Sequence, residues 1–399
     1  RTNFSPRLGL TWAPKAKDKQ KPETTLPRIT VGIGTFYSRF GINNIMSERQ
    51  ANAPDRSFYF ITDPAILDRF PVVPSVSELQ QSATLRSLRL IDDDLQAPYR
   101  NLFNINIFKR LWYDFGLNFS YSHTRGYRQS VTRNINAPFA AAAGDTGSPV
   151  YPFGNPRNIY ETRSEAMNRS HRYSFNLNFP QWKIKGKPIY GFVTYSRLRS
   201  RSNGVAGSGS AIDPYDFSQE WGPTSNDGVH NLQGYFSLSF PHLIYFRGNF
   251  NVRSGSRFNI ITGRDTNRDG LYTERPAFAS DPNKAGVVQT KYGLLDPNPA
   301  AGEALIPNNL GVGPGNAELS VYLSKSFGFN KDKANKNTPR QRLSFGISFN
   351  NVLNINNKAN PIGNMSSPNF LRSITRSGFG GDSWPIYPRN VSFSTSFSF

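Results

Sequence analysis

The sequence predicts an all-β protein, an antiparallel transmembrane β-barrel with long external loops. Three observations predict it: short segments of alternating polarity, aromatic residues crowded at the ends of the apolar stripes, and connections that alternate between short and long. Composition agrees. The chain has 399 residues, no cysteine, 14% aromatic residues and a net charge of +20. Only 37% of residues are hydrophobic and mean hydropathy is −0.53. A helical membrane span needs about 20 consecutive apolar residues, and no such run is present. The aromatic content argues against disorder, so the apolar residues belong to a pattern shorter than a helix span.

The last ten residues show that pattern most plainly. Val391, Phe393, Phe397 and Phe399 fall on one face of a strand, with Thr395 between them, and Ser392, Ser394, Ser396 and Ser398 fall on the other. Upstream, Leu343, Phe345, Ile347 and Phe349 alternate with Ser344, Gly346, Ser348 and Asn350. Further segments are Leu319–Leu323, Ile244–Val252, Phe236–Phe240, Tyr173–Phe179 and Tyr113–Tyr121, with weaker ones at Phe103–Ile107, Ile29–Ile33 and Leu8–Trp12. These make about ten strands. Ile189–Leu198 also reads as a strand, but its two faces are not separable by composition. A soluble sandwich alternates too. Against it stand the strand length, close to the ~9–11 residues that cross a bilayer at a tilt, and a polar face of Ser, Asn, Gly and Tyr suited to a wet lumen.

Connection lengths give an orientation. Short connections lie near 109–111, 180–188, 241–242 and 330–341, and long ones near 38–97, 124–158, 199–227, 262–315 and 354–389. Outer-membrane barrels have short periplasmic turns and long extracellular loops, so Phe399 is expected on the periplasmic side of a bacterial outer membrane. The first turn, 13–27, is longer and rich in Lys and Pro. The long loops hold Gly, Pro, Asn and Ser clusters such as Gly204–Gly209.

Several segments also resemble a known family. Asn3–Trp12 is similar to a barrel strand of TonB-dependent receptors of the Oar-like group, and Gly32–Phe40 to the strand that follows it. Asn134-Ile135-Asn136-Ala137-Pro138, Ser254–Ile260, the run Thr262–Gly270 continuing to Glu274-Arg275-Pro276, and Phe349–Asn354 resemble other segments of the group in the same order. The resemblance implies a barrel of about twenty-two strands filled by an N-terminal plug. The whole chain, 1–399, is then the C-terminal portion of one barrel domain, with plug and N-terminal domains outside it. The start at Arg1-Thr2-Asn3-Phe4 carries no signal segment, which favours the later part of a longer chain. The implied partners are the remainder of the barrel and plug, in the same or a separate chain, the TonB complex, and the outer-membrane assembly machinery. That machinery would read a membrane insertion signal formed by Phe393, Phe397 and Phe399.

Catalytic chemistry is not indicated. His123, His171, His230 and His242 are scattered, without an H-E-x-x-H helix, a nucleophile elbow or a phosphate loop. Asp92-Asp93-Asp94 reads as a solvated turn. One loop carries candidate metal chemistry: Asp265, Asn267 and Asp269 alternate before Gly270, and Glu274 follows. This matches the first half of an EF-hand calcium loop, although Pro276 stands where the twelfth-position Glu belongs; the alternative is a loop held by its own Asx turns. The basic excess is spread over loops, turns and strand ends rather than one stripe, so nucleic acid is not expected as a partner. Arg197, Arg199, Arg201, Arg247 and Arg253 are instead expected to meet lipopolysaccharide phosphates or to line a lumen suited to anions. Two functions follow: a receptor or transporter barrel, as the resemblance implies, or a structural or adhesive barrel acting through its loops.

Overall fold

The computed structural model describes residues 3–14, 26–39, 63–79, 87–139, 148–180, 187–204, 211–240, 244–269, 271–300, 303–331, 339–376 and 389–399, with a few positions between them. Its body is a 14-stranded sheet in which the short strand Leu88–Ile91 pairs parallel with Ile159–Thr162, off a main path of eleven antiparallel strands in chain order. They are β1 (Arg7–Trp12), β2 (Arg28–Tyr37), β3 (Tyr99–Arg110), β4 (Gly116–Asn134), β5 (Ile159–Asn178) and β6 (Lys187–Ser202). The sheet continues with β7 (His230–Phe240), β8 (Ile244–Arg253), β9 (Asn316–Lys331), β10 (Pro339–Asn350) and β11 (Asn390–Ser398). Each strand pairs with its chain neighbours, so the path is an up-and-down meander. β1 pairs only with β2, and β11 only with β10 among the described residues.

The segment whose two faces composition does not separate, Ile189–Leu198, lies in β6. Pairing of Leu177 with Val193 and of Phe175 with Tyr195 assigns its faces: Val193 and Tyr195 join the apolar stripe, while Phe192, Thr194 and Ser196 join the polar one. Two aromatic residues on the polar side and Gly191 on the apolar side hide this in the sequence. Another difference lies at Tyr113 and Asp114, which take left-handed backbone angles (φ 54° and 63°) in a tight turn. The strand therefore starts at Gly116, not Tyr113. β4 and β5 then run 19 and 20 residues, about twice the length that crosses a bilayer, so they project beyond it at the long-loop end.

Register keeps the two faces in phase across the sheet, as it must where a one-residue slip would invert every side chain. On the polar face Asn176 donates to Thr194 Oγ1 at 2.6 Å, Asn106 donates to Asn118 Oδ1 at 2.9 Å, and the Ser326 and Ser344 hydroxyls bond at 2.8 Å. Burial is the reverse of a soluble sheet. Ser237, Ser320 and Ser324 on the polar face are buried, at 5–9% exposure, while Leu323, Phe345 and Phe393 on the apolar face are 42%, 48% and 81% exposed. A soluble sandwich would hide the apolar face.

The apolar core lies at the long-loop end. Phe258, Ile260, Leu295 and Ile306 are buried together, with Tyr292, Leu310, Met365, Phe370 and Leu371 packed around them. These residues come from the connections after β8 and after β10, which join through Ile261 N to Gly363 O (3.0 Å) and Met365 N to Ile261 O (2.9 Å). Ala277–Phe278, Val288–Thr290 and Gly293–Asp296 form a small three-stranded sheet in the first of these connections. The described parts of these two connections thus form a packed cap. The glycine cluster at 205–209, most of the turn 13–27 and His242 lie outside the described residues.

Candidate functional site

Three groups of polar residues could meet a ligand: the Asp265–Glu274 loop, the polar face of the sheet, and the basic residues at the long-loop end. The loop is closed by its own hydrogen bonds. The Asp269 amide donates to Asp265 Oδ1 and to Asn267 Oδ1, both at 3.1 Å, and the Leu271 amide donates to Asp269 Oδ1 at 2.8 Å. Asn267 Nδ2 donates to Asp269 Oδ2 at 3.2 Å and to the Ile212 carbonyl at 3.1 Å. Glu274 Oε1 accepts from the Thr266 amide at 2.8 Å, and the Thr262 amide donates to the Glu274 carbonyl at 2.8 Å. Glu274 Oε2 is buried and has no hydrogen-bond partner.

Burial pushes both the Asp269 and Glu274 carboxyls above their ordinary range, and the Asp265 charge nearby adds to it. Asp265, Asn267, Asp269 and Glu274 lie on one loop. Among the described residues, however, no three acidic or imidazole side chains converge on a single metal position. The next residue, Arg275, is 1% exposed and reaches back to Glu220 Oε1 at 3.3 Å and the Gln219 carbonyl at 2.9 Å. Burial pushes the Arg275 guanidinium down, and the Glu220 charge opposes that. Gly263 opens the loop with φ 73°, and a Cβ there would lie 2.0 Å from Asn364 Oδ1. Only glycine fits.

The polar face holds an open cavity of about 530 Å³ lined by Gln233, Tyr235, Asn249, Asn251, Glu318 and Asn350, among others. Arg247 stacks over the Tyr322 ring at 5.1 Å on this face, and Arg253 donates to Asn226 Oδ1 at 2.6 Å. Mixed amides, hydroxyls and one carboxylate make it a hydrogen-bonding surface.

Of the histidines, His123 and His171 stack at 4.3 Å on the apolar face, and His230 bonds the Tyr195 hydroxyl at 2.7 Å. Asp92 forms a turn, accepting from the Asp94 amide at 3.1 Å, and lies 4.0 Å from Arg163. Phe393 and Phe397 stand on the apolar face opposite Ile347 and Leu343, and Phe399 is 95% exposed. Sequence reading missed the Glu220–Arg275 pair, since 55 positions separate the partners. It also missed the asparagine staple at Asn134 and Asn136, both fully buried. Asn134 Oδ1 accepts from the Ile159 amide at 3.0 Å, and Asn136 Nδ2 donates to the Asn155 carbonyl at 2.8 Å. The family-like Asn134–Pro138 motif was its only signal.

Residues 1–391 match the model of a family described as outer membrane beta barrel domain. No curated protein sequence matches the chain. Among solved structures it is similar to the outer membrane transporter YddB from Escherichia coli, with 11% identity and a TM-score of 0.49 over 93% of this chain and 38% of that one. It is similar to the FrpB iron transporter from Neisseria meningitidis, with 11% identity and a TM-score of 0.44 over 99% of this chain and 39% of that one. It is also similar to the ferric-catecholate import receptor Fiu from Escherichia coli, with 12% identity and a TM-score of 0.32 over 94% and 46%. The chain thus spans less than half the length of each.

Proposed function

The chain belongs to the outer membrane beta barrel domain family, and from that premise we propose that it is the C-terminal part of a TonB-dependent receptor of the Oar-like group, a transporter barrel rather than an enzyme. The observation that carries this reading is the sheet's eleven-strand path, with an exposed apolar face and two edges unpaired among the described residues. Open edges in hydrocarbon leave backbone groups unsatisfied, so closure calls for further strands. Eleven is half of the about twenty-two strands of the large plugged transporters. The family-like motifs named above support the group assignment. The polar face then faces a plug, and TonB supplies the energy that moves substrate past it.

In this reading the long-loop cap is extracellular and Phe399 periplasmic, where Phe393, Phe397 and Phe399 present the insertion signal to the assembly machinery. The chain lacks cysteine, so single cysteines report orientation directly. Tyr272→Cys, in the cap, is expected to react with an impermeant maleimide on intact cells. Trp112→Cys, at the short-turn end, is expected to react only after permeabilisation. The converse labelling overturns the orientation.

The Asp265–Glu274 loop is proposed as a calcium site. Its support is the unpartnered, buried Glu274 Oε2 on a loop that also carries Asp265 and Asp269. Binding would exchange the Asn267–Asp269 hydrogen bond for metal bonds. Because Asp269 and Glu274 have raised pKa values, their burial favours the fold most when they are protonated, and this contribution is lost as pH rises through the raised values. Calcium restores it by neutralising the ionised forms. Calorimetry on the intact barrel is expected to show binding that weakens with falling pH and disappears in Asp269→Ala. No heat from the parent protein removes the site.

A second reading, a structural or adhesive barrel, is favoured by the cap's own core of Phe258, Ile260, Leu295 and Ile306, which gives the loops a fixed surface. Intact mass of the native protein, combined with site-specific crosslinking to TonB, separates the two. Transport predicts a mass far above 44.7 kDa and a TonB adduct. A mass near 44.7 kDa without an adduct supports the structural barrel.

A further inference from the structure

Beyond transport, the register places an unpaired basic belt on the face that meets lipid. Across β4, β5 and β6 the apolar face climbs in rows. Leu117, Leu177 and Val193 lie side by side, then Phe119, Phe175 and Tyr195, then Tyr121, Tyr173 and Arg197. Above the tyrosines come His123, His171 and Arg199, and above those Arg125, Arg169 and Arg201. Two residues along a strand span about 6.7 Å and neighbouring strands stand about 4.8 Å apart. At a strand tilt of about 40°, the arginine row therefore lies roughly 20 Å above the Leu117 row, near the top of the about 25 Å apolar band of such barrels. The tyrosines stand midway between the two rows, about 10 Å below the arginines.

Among the described residues the charges there have no carboxylate counterpart. No ion pair among the described residues involves Arg125, Arg169, Arg197, Arg199 or Arg201. Arg169 Nε lies 3.2 Å from His171 Nε2, and Arg125 stands 5.7 Å from the Tyr127 ring centre. Arg197 Nε is buried without a hydrogen-bond partner. Arginines elsewhere do find carboxylates: Arg257 reaches Asp227 and Arg163 reaches Glu161. Like charges gathered in one row repel, and an anion between them relieves that repulsion. An apolar stripe directly below selects an anion carried on acyl chains. Three adjacent guanidinium groups suit phosphate, which they bind bidentately.

We propose that Arg125, Arg169, Arg199 and Arg201 form a belt that binds the phosphate groups of a phosphorylated lipid in the leaflet next to the long loops. The belt rests on the barrel's outward face and not on transport or on a plug. Its in vitro test, in micelles, is also independent of which side the loops face.

The test uses the native full-length protein in detergent. Binding is measured for lipopolysaccharide from the producing cells and for the same material after phosphatase treatment, with inorganic phosphate as competitor. Intact lipopolysaccharide is expected to bind on the order of tenfold more tightly than the dephosphorylated form. Combined Arg125→Gln, Arg169→Gln and Arg201→Gln substitution is expected to remove that difference, and millimolar phosphate to displace little. Should the triple variant fail to migrate as a folded barrel, Arg169→Gln alone is expected to weaken binding about threefold. Equal binding of the two lipopolysaccharide forms overturns the proposal, as does wild-type affinity in a folded variant. Full displacement by millimolar phosphate assigns the belt to a soluble anion and overturns the lipid assignment.

Discussion

Arg275→Met should loosen the long-loop cap while leaving the strands in place. Arg275 and Glu220 are both almost fully buried, at 1% and 3% exposure. Glu220 is held from several sides: its Oε1 accepts from the Ile212 amide at 3.0 Å, its Oε2 from Asn308 Nδ2 at 2.5 Å, and its charge faces the guanidinium. Removing the arginine leaves a carboxylate in a site that solvent cannot reach, which costs about 3–5 kcal/mol. Hydrogen exchange is expected to rise at 219–220, 274–276 and 294–296. Exchange in β4 and β5 should stay unchanged.

The double variant Arg275→Met with Glu220→Gln should recover most of that loss. Arg275 Nε and Nη1 have no hydrogen-bond partner, so the pair bears desolvation that a neutral replacement avoids. Recovery would identify the pair as a device that fixes the connection before β7 against the one after β8. A double variant as loose as the single one would instead assign the cap's rigidity to the packing of Phe258, Ile260, Leu295 and Ile306.

The second large effect separates the two faces of one strand. Phe175 stands on the apolar face between Phe119 and Tyr195, and Ser174 on the polar face between Ser120 and Ser196. Phe175→Arg puts a charge into hydrocarbon and should cost about 2–4 kcal/mol in refolding from urea into bilayers. The cost also includes lost packing against Phe119, whose ring centre is 4.8 Å away. Ser174→Arg points into the wet interior and should cost less than about 1 kcal/mol. Similar costs at both positions would contradict the assignment of faces.

The strands were legible because each carries its evidence within about ten consecutive residues. Period-two alternation needs no partner to be seen, and the terminal run from Val391 to Phe399 shows it in full. Ile189–Leu198 was not legible in the same way, since Tyr190 and Phe192 put aromatic rings on the polar face, and only the pairing of Val193 with Leu177 decides it. Tyr113 looked like a strand residue by composition, but a left-handed turn is a backbone property that its side chain does not announce. The cap was invisible for another reason. Ile260, Leu295, Ile306 and Phe370 come from separate segments with no common period, so their burial is a tertiary fact. The Asp265–Glu274 loop lies between these cases. Its alternating oxygens were visible, whereas the amides that satisfy them were not.

The central claim is that the apolar face of this sheet lies in lipid and the polar face in water. A cysteine-free chain allows a direct measurement, with single cysteines placed in turn from Arg172 to Asn178, each carrying a fluorophore in reconstituted vesicles. Labels at Tyr173, Phe175 and Leu177 are expected to be quenched by brominated lipid, and labels at Ser174 and Asn176 by aqueous iodide. Uniform quenching by either agent along the strand would contradict the claim.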